Sequence, residues 1–298
     1  MINYYPELMN ACGVQSTKVI RISEGASTVE EADLIAVEEP LAIRLEYGSP
    51  DQRQLRDLSV TMRTPGNDFE LATGFLLTEG IIRSINDIIS IRYCQQAQTA
   101  TEAENVVRVA LASDVPVDWQ KLQRHFYTNS SCGVCGKTSI EAIHTVCQMS
   151  QPTDFVVPAE AIHRAPDQLR KAQLIFSYTG GLHAAGLFSS SGELLLWRED
   201  VGRHNALDKL IGAAFNQPEI SRSSTFVLLS GRISFELVQK TLIAGIPLLA
   251  AVGAPSGLAI QLAQRFGLGL VGFVRDQRFN IYHGNHRVLL NQPSIETA

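Results

Sequence analysis

The chain has little excess of basic charge and no long apolar run. Its 25 Lys and Arg are outnumbered by 30 Asp and Glu, for a formal net charge of −5. That balance excludes a broad nucleic-acid-binding face and leaves room only for a local basic pocket. The most apolar stretch, residues 242–252, is broken by Gly245 and Pro247. It is too short to cross a bilayer and reads as a buried strand with its lead-in. The opening Met1-Ile2-Asn3-Tyr4-Tyr5-Pro6 has neither a basic start nor an apolar segment, so no signal peptide is expected. Cysteine is scarce and odd in number: Cys12, Cys94, Cys132, Cys135 and Cys147. That suits a reducing cytoplasm and not a disulfide scaffold. No internal repeat and no low-complexity segment is present.

What remains is a chain able to build a core. Of 298 residues, 45% are hydrophobic, which suits one large domain or two ordinary ones. Residues 1–33 are polar and irregular, with one candidate strand at 18–22, and are expected to form a loose arm. Residues 34–125 read as a small α+β domain. Strand periodicity at 36–47 and 57–63 is stopped by Thr64-Pro65-Gly66. A helix follows, capped by Asn67 or Asp68 and ended by Gly80. Two more strands fall at 88–93 and 106–112. Residues 120–126 have a helical pattern, 126–150 hold a cysteine loop and a short helix, and 151–154 resemble a linker. Residues 151–298 alternate helix and strand: helices at 159–172, 203–215, 235–244 and 258–266, strands near 187–198, 225–229, up to 252, and 269–274. That alternation predicts a layered α/β sheet, parallel in part.

Two short motifs fail on context. Gly267-x-Gly269-x-x-Gly272 spells a dinucleotide fingerprint, but a helix precedes it and a strand follows, the reverse of what the fingerprint needs. Gly267 is more simply a helix C-cap. Ser131 to Thr138 differs from a phosphate-binding loop by its first residue, and no strand leads into it.

The Ser130-Ser131-Cys132-Gly133-Val134-Cys135-Gly136-Lys137 loop is the most informative stretch. Its glycines predict an accessible, mobile tip. A helix N-terminus and Lys137 close by favour thiolate over thiol. Three readings stand. As zinc ligands, Cys132 and Cys135 would be joined by His144 and Cys147, at a spacing unlike the common structural sites. As a redox dithiol, the pair would follow a strand in a thioredoxin-like unit, which is missing. As a sulfur carrier, one low-pKa cysteine on a mobile loop suffices. Cys12, Cys94 and Cys147 read as structural or incidental.

The second informative feature is a set of strand-to-helix junctions: Asp200-Val201-Gly202-Arg203-His204-Asn205, Ser230-Gly231-Arg232-Ile233-Ser234 and Gly253-Ala254-Pro255-Ser256-Gly257. Helix N-termini favour anions, and ligands of open α/β sheets bind beyond the carboxyl ends of strands. The last strand exits into Phe273-Val274-Arg275-Asp276-Gln277-Arg278 and adds two guanidiniums, whose forks match phosphate. The bland reading, capped helices with surface arginines, covers any one junction. Several at one edge, with Arg203, Arg232, Arg275 and Arg278 clustered there, point to a phosphate-bearing ligand. His183, in Gly180-Gly181-Leu182-His183-Ala184-Ala185, is balanced between a site-lining role and a satisfied core position. Zinc deaminases carry a carboxylate two residues after such a histidine. Ala185 stands there, so deaminase chemistry is not expected.

With these segments in view, the chain resembles the FdhD family. The matching stretches are Thr64-Pro65-Gly66-Asn67-Asp68-Phe69-Glu70-Leu71-Ala72, the Cys132–Cys135 loop, and residues 179–185, 199–209, 230–240 and 273–278, in the family's order. The resemblance implies a cytoplasmic sulfur carrier. It would take sulfur from a cysteine desulfurase and deliver it to the molybdenum (or tungsten) bis-guanine-dinucleotide cofactor of formate dehydrogenase. It further implies a homodimer, a C-terminal three-layer α/β/α unit of cytidine-deaminase-like architecture, Cys132 as persulfide carrier, and cofactor contact through 273–278. No resident metal, nucleic acid or membrane is expected. Arg203, His204, Ser230, Gly231, Arg232, Ser256 and His183 are the further candidates from the predicted edge. Guanine needs a carboxylate or backbone acceptor, and Asp276 is the candidate. The competing classes are a cofactor-binding chaperone that carries no sulfur and a zinc-stabilised interaction module.

Overall fold

A computed structural model describes residues 13–22, 29–94, 104–119, 122 and 154–290. The cysteine loop with Cys132 and Cys135, all but Leu122 of the expected helix at 120–126, the expected helix after Lys137, and Cys12 and Cys147 lie outside them. Residues 14–36 are more regular than the expected arm. They form an antiparallel ribbon of β1 (Val14–Arg21) and β2 (Val29–Ala36). Charged residues alternate through it, as in the facing pairs Ile20↔Glu30 and Val19↔Glu31, so its strand period carries no apolar signal.

The first sheet has the order β4-β3-β6-β5, from β3 (Glu39–Tyr47), β4 (Gln54–Arg63), β5 (Ile88–Tyr93) and β6 (Val106–Leu111). Alternate residues of β3, Leu41, Ile43 and Leu45, are buried. They pack with Leu71 and Leu76 of helix α1 (Asp68–Thr78). The α1 cap departs from expectation. Asn67 holds the cap position in the left-handed region, at φ 58°, and its side chain bonds nothing there. Asp68 instead accepts two bonds from Arg63, at 3.1 and 3.0 Å, and one from Tyr93, at 3.1 Å. The buried Arg63 takes the carboxylate away from the helix end.

The second sheet has six strands in the order β13-β12-β11-β10-β8-β9. They are β8 (His183–Ser189), β9 (Leu194–Asp200), β10 (Thr225–Leu229), β11 (Leu248–Ala251), β12 (Gly269–Arg275) and β13 (Arg278–His283). β10, β11 and β12 run parallel, and the outer strands are antiparallel to their neighbours. Helices cover both faces. Leu187, Val227, Leu249 and Leu270 point to α4 (Arg203–Phe215), α5 (Phe235–Ile243) and α6 (Gly257–Phe266). Phe188, Phe226, Leu248 and Val271 point to α2 (Ala159–Ala172). The period of two thus sends neighbouring residues of one strand into different cores. A short α3 (Leu174–Thr179) follows α2, and β7 (Val157–Pro158) pairs with β14 (Val288–Leu289). Among the described residues no helix is long and apolar enough to cross a membrane.

The two sheets share one core through α1 and α4, which cross at Gly74 and Gly212. A Cβ on Gly74 would stand 1.9 Å from the Asp208 carbonyl oxygen, and one on Gly212 would stand 2.0 Å from that of Glu70. Only glycine lets the backbones approach so closely. Around this crossing Arg198 grips Glu70 through two bonds of 2.5 and 2.6 Å, and the buried Lys240 meets Asp208 at 2.9 Å.

Candidate functional site

Parallel β10, β11 and β12 all end at one edge of the second sheet. β8 begins there and β9 ends there, because both flanking pairings are antiparallel. Every described junction singled out in the sequence therefore comes to the same edge. Backbone bonds join the loops side by side. Ser230 N donates to Ala184 O at 3.0 Å, Gly253 N to Gly231 O at 3.1 Å, and Phe273 N to Gly253 O at 3.1 Å. The Ser230 hydroxyl accepts from Ala184 N at 2.8 Å. A Cβ on Gly253 would meet Gly231 O at 2.8 Å, so the loops after β10 and β11 stack only with glycine there.

His183 opens β8 beside Gly231, half-buried. Burial, followed by the neighbours Arg203 and His204, lowers its pKa from the ordinary value, with Asp200 opposing. The imidazole is therefore neutral at pH 7, able to donate from one nitrogen and accept at the other. His204, on the first turn of α4, bridges to α5: its Nε2 lies 2.7 Å from Glu236 Oε2 and 3.2 Å from Ser234 Oγ. That bond holds the Glu236 carboxyl below its ordinary pKa against partial burial. Ser234 holds the N-cap position of α5, yet its side chain makes no bond to the helix backbone. The first turn of α5 thus lies at the edge without a side-chain cap from Ser234. Ser256, by contrast, caps α6 by accepting from Ala259 N at 3.3 Å.

The Phe273–Arg278 segment is a bulge followed by a two-residue hairpin turn. The register of β12 and β13 shifts between Gly272 and Arg275, and Arg275 pairs with Arg278. Phe273, Asp276 and Gln277 all have positive φ, at 55°, 53° and 56°. Bulky residues rarely adopt that region, and such strain concentrates at functional positions. Val274 is buried and anchors the hairpin, while Arg275, Asp276, Gln277 and Arg278 are exposed. The Arg275 guanidinium lies 5.8 Å from the Phe273 ring centre.

The expected arginine cluster is a line. Arg203 follows β9, Arg232 follows β10, and Arg275 and Arg278 flank the β12–β13 turn. β9 and β12 stand four places apart in the sheet, so the line is about 19 Å long at ordinary strand spacing. Sequence reasoning also missed one wall. A cavity of 640 Å³ opens beside His183 and Ser230, lined by Arg170, Phe176, Gly180 and Gly181 among others. Only the Gly180-Gly181 pair hinted at it. Arg170 and Phe176 are made neighbours by the break between α2 and α3, with the guanidinium 4.0 Å from the ring centre.

Some residues of the Asp200–Asn205 junction are scaffold. Asp200 is fully buried and accepts from Lys209 Nζ at 2.7 Å, Thr64 N at 3.1 Å and Gly202 N at 2.8 Å. Lys209 also donates to Thr64 O at 2.7 Å, and Asn205 to Met62 O at 2.7 Å. These bonds tie the turn after β4 to the edge and set where α4 begins. Among the described residues no three His, Cys, Asp or Glu side chains converge as metal ligands.

Comparison with known proteins places the chain among known relatives. The FdhD/NarQ family model matches residues 36–289. A protein from Mycolicibacterium paratuberculosis named sulfur carrier protein FdhD is 48% identical over 273 residues, covering 91% of this chain and 97% of that protein. One of the same name from Saccharolobus solfataricus is 37% identical, covering 92% and 98%. The crystal structure of a candidate formate dehydrogenase accessory protein from Desulfotalea psychrophila superposes with a TM-score of 0.70 at 25% identity, covering 93% of this chain and all of that one. The α/β fold and the match along the chain define its class: it belongs to the FdhD/NarQ family.

Proposed function

We propose that the protein is a sulfur carrier for a molybdenum or tungsten cofactor bearing two guanine dinucleotides, acting in support of formate dehydrogenase. Cys132 thiolate attacks the outer sulfur of a persulfide on a cysteine desulfurase. The donor cysteine leaves as thiolate, and Cys132 becomes the persulfide. The outer sulfur then passes to the cofactor, with Cys135 displacing or relaying it. The cofactor is the substrate of this reaction and not a resident group.

The observation that carries the ligand half of this reading is the edge itself. Its arginines are spread over about 19 Å at ordinary strand spacing, with glycine loops and the α5 N-terminus, uncapped by the Ser234 side chain, between them. A single nucleotide would use only part of that length. An extended ligand with several phosphates uses all of it, through paired guanidinium bonds and backbone N–H groups. The relatives named sulfur carriers support the other half.

The test is to incubate the protein with a desulfurase and labelled cysteine, then map the label by peptide. Label is expected on Cys132, and Cys132→Ala is expected to abolish activation of formate dehydrogenase with the fold intact. Retained sulfur acceptance and delivery in both Cys132→Ala and Cys135→Ala would overturn the carrier role of this loop.

A further inference from the structure

The cavity beside His183 holds a set of groups that phosphate binding does not use. It lies between the α2–α3 break and the edge loops and measures 640 Å³, room for a small ring system. Arg170 lies over the Phe176 ring, 4.0 Å from its centre. A planar heterocycle stacks well against such a flat pair. Asp167, three residues before Arg170 and on the same face of α2, lines the same cavity. Its carboxylate is exposed and pairs with no described residue. From the edge side, the Ser230 hydroxyl accepts from Ala184 N and keeps its proton to donate. His183, neutral at pH 7, donates at one ring nitrogen and accepts at the other. Gly180 adds open space: a Cβ there would meet nothing within 4 Å. In the wall behind, Gln173 is 4% exposed, and its Nε2 lies beside Glu199 without completing a hydrogen bond. A buried donor left open in a cavity wall calls for a partner.

A planar ring with two adjacent N–H donors and a carbonyl uses these groups together. The carboxylate takes the two donors as a pair, a hydroxyl donor suits the oxygen, and the stacked pair covers the ring. The amino-oxo-pyrimidine ring has that edge, and guanine and pterins share it. Position separates the two. The cavity is two to three strands from the β12–β13 hairpin, about 10–14 Å at ordinary spacing. A nucleotide held by the hairpin arginines leaves its pyrophosphate running along the edge and the far end of the ligand at the cavity. In a molybdenum or tungsten guanine-dinucleotide cofactor, that far end is a pterin. We propose that this cavity binds the pterin ring of the ligand, with Asp167 reading its amino group and the Arg170–Phe176 pair as its platform. The inference rests on the sulfur-carrier reading, and it divides the edge into a nucleotide end and a pterin end.

The test titrates the full chain with two probes, free pterin by its fluorescence and GDP by calorimetry. Pterin is expected to bind whether or not GDP is saturating. Asp167→Asn, at an exposed position, should weaken pterin about ten-fold, the scale of losing a charged acceptor, and leave GDP unchanged. Lumazine, which has an oxygen in place of the pterin amino group, should bind wild type about ten-fold more weakly than pterin, and Asp167→Asn should close that gap. Displacement of pterin by GDP, with both weakened in Asp167→Asn, would overturn the proposal and make the cavity a guanine site. Equal affinity of wild type and Asp167→Asn for pterin, or no binding at all, would overturn it too. Sulfur loading of Cys132 is measured on the same preparation. Normal loading without pterin binding removes this proposal and leaves the carrier reading standing. Pterin binding without loading does the reverse.

Discussion

Two kinds of polar residue are interleaved along one helix. In Asp200-Val201-Gly202-Arg203-His204-Asn205, and on through Asp208 and Lys209, the buried members hold the molecule together while Arg203 and His204 face the edge. The buried ones are costly to unpair. Lys240 is enclosed, and burial alone would lower its pKa, but the carboxylates of Asp208 and Glu79 outweigh that and raise it. Its ammonium also donates to Thr78 Oγ1 at 2.9 Å. Lys240→Met would leave Asp208 buried and uncompensated. The expected loss is about 3–5 kcal/mol, read from the urea midpoint, and adding Asp208→Leu should restore part of it. At the edge the expected change is in binding. Arg278→Ala should weaken GDP by about 1–3 kcal/mol, the scale of a charge-assisted bond, with sulfur loading intact. GDP should bind better than ADP. Calorimetry giving equal affinities for both, or no change in the variant, would remove the hairpin from the ligand site.

At the scale of elements, close packing sets the limit on change. Gly74 and Gly212 put the backbones of α1 and α4 in contact, and the clash distances involve carbonyl oxygens that cannot swing aside. Gly74→Ala is expected to cost about 3 kcal/mol, the upper end of overpacking, visible as a lowered urea midpoint. A near-wild-type midpoint would mean that the helices separate without penalty. This contact also marks the limit of what the sequence could tell. α4 (Arg203–Phe215) and β10 (Thr225–Leu229) match their expected bounds because their apolar periods are long or unbroken. β1 was legible only as the strand at 18–22, β2 was hidden by its charged residues, and α3 by its length of six residues. Neither the Gly74–Gly212 contact nor the departure of Asp68 from its capping role has a local signal. Both depend on residues far apart in sequence or on a competing partner. The edge was legible because junction residues must fall at strand ends. The Arg170–Phe176 wall was not, because nothing in the spacing of a helix says what its far end will face.

Across the whole molecule, acid sensitivity should begin at two histidines, His183 at the ligand edge and His283 at the end of β13. The pKa of His183 is lowered, first by burial and then by Arg203 and His204. A lowered folded pKa means that the unfolded chain binds the proton more readily. Its contribution is thus fully present above the ordinary histidine value of 6.5 and is lost as pH falls through the folded value. Glu236, lowered by the His204 bond, acts in the same direction but in the carboxylate range, below 4.5. Glu199 opposes them: burial raises it although Phe176 N and Ile175 N bond it, so acid relieves its cost. The alkaline side is separate. Tyr93, raised to about 12 by burial and then by Asp68, contributes stability that is present below 10 and lost as pH climbs through its folded value. The window of His183 opens just below neutrality, and so does that of His283 at the end of β13, lowered by burial and then by His286 and Arg287. The urea midpoint should fall from pH 7 to pH 5, and His183→Gln should reduce that slope in part without changing the decline below 4.5. A bound polyphosphate should do the same in wild type, because its negative charge offsets Arg203 and His204 and draws the His183 pKa back up. If GDP leaves the slope between pH 7 and pH 5 unchanged while still binding, His183 lies outside the field of the ligand, and the phosphates sit nearer the β12–β13 hairpin.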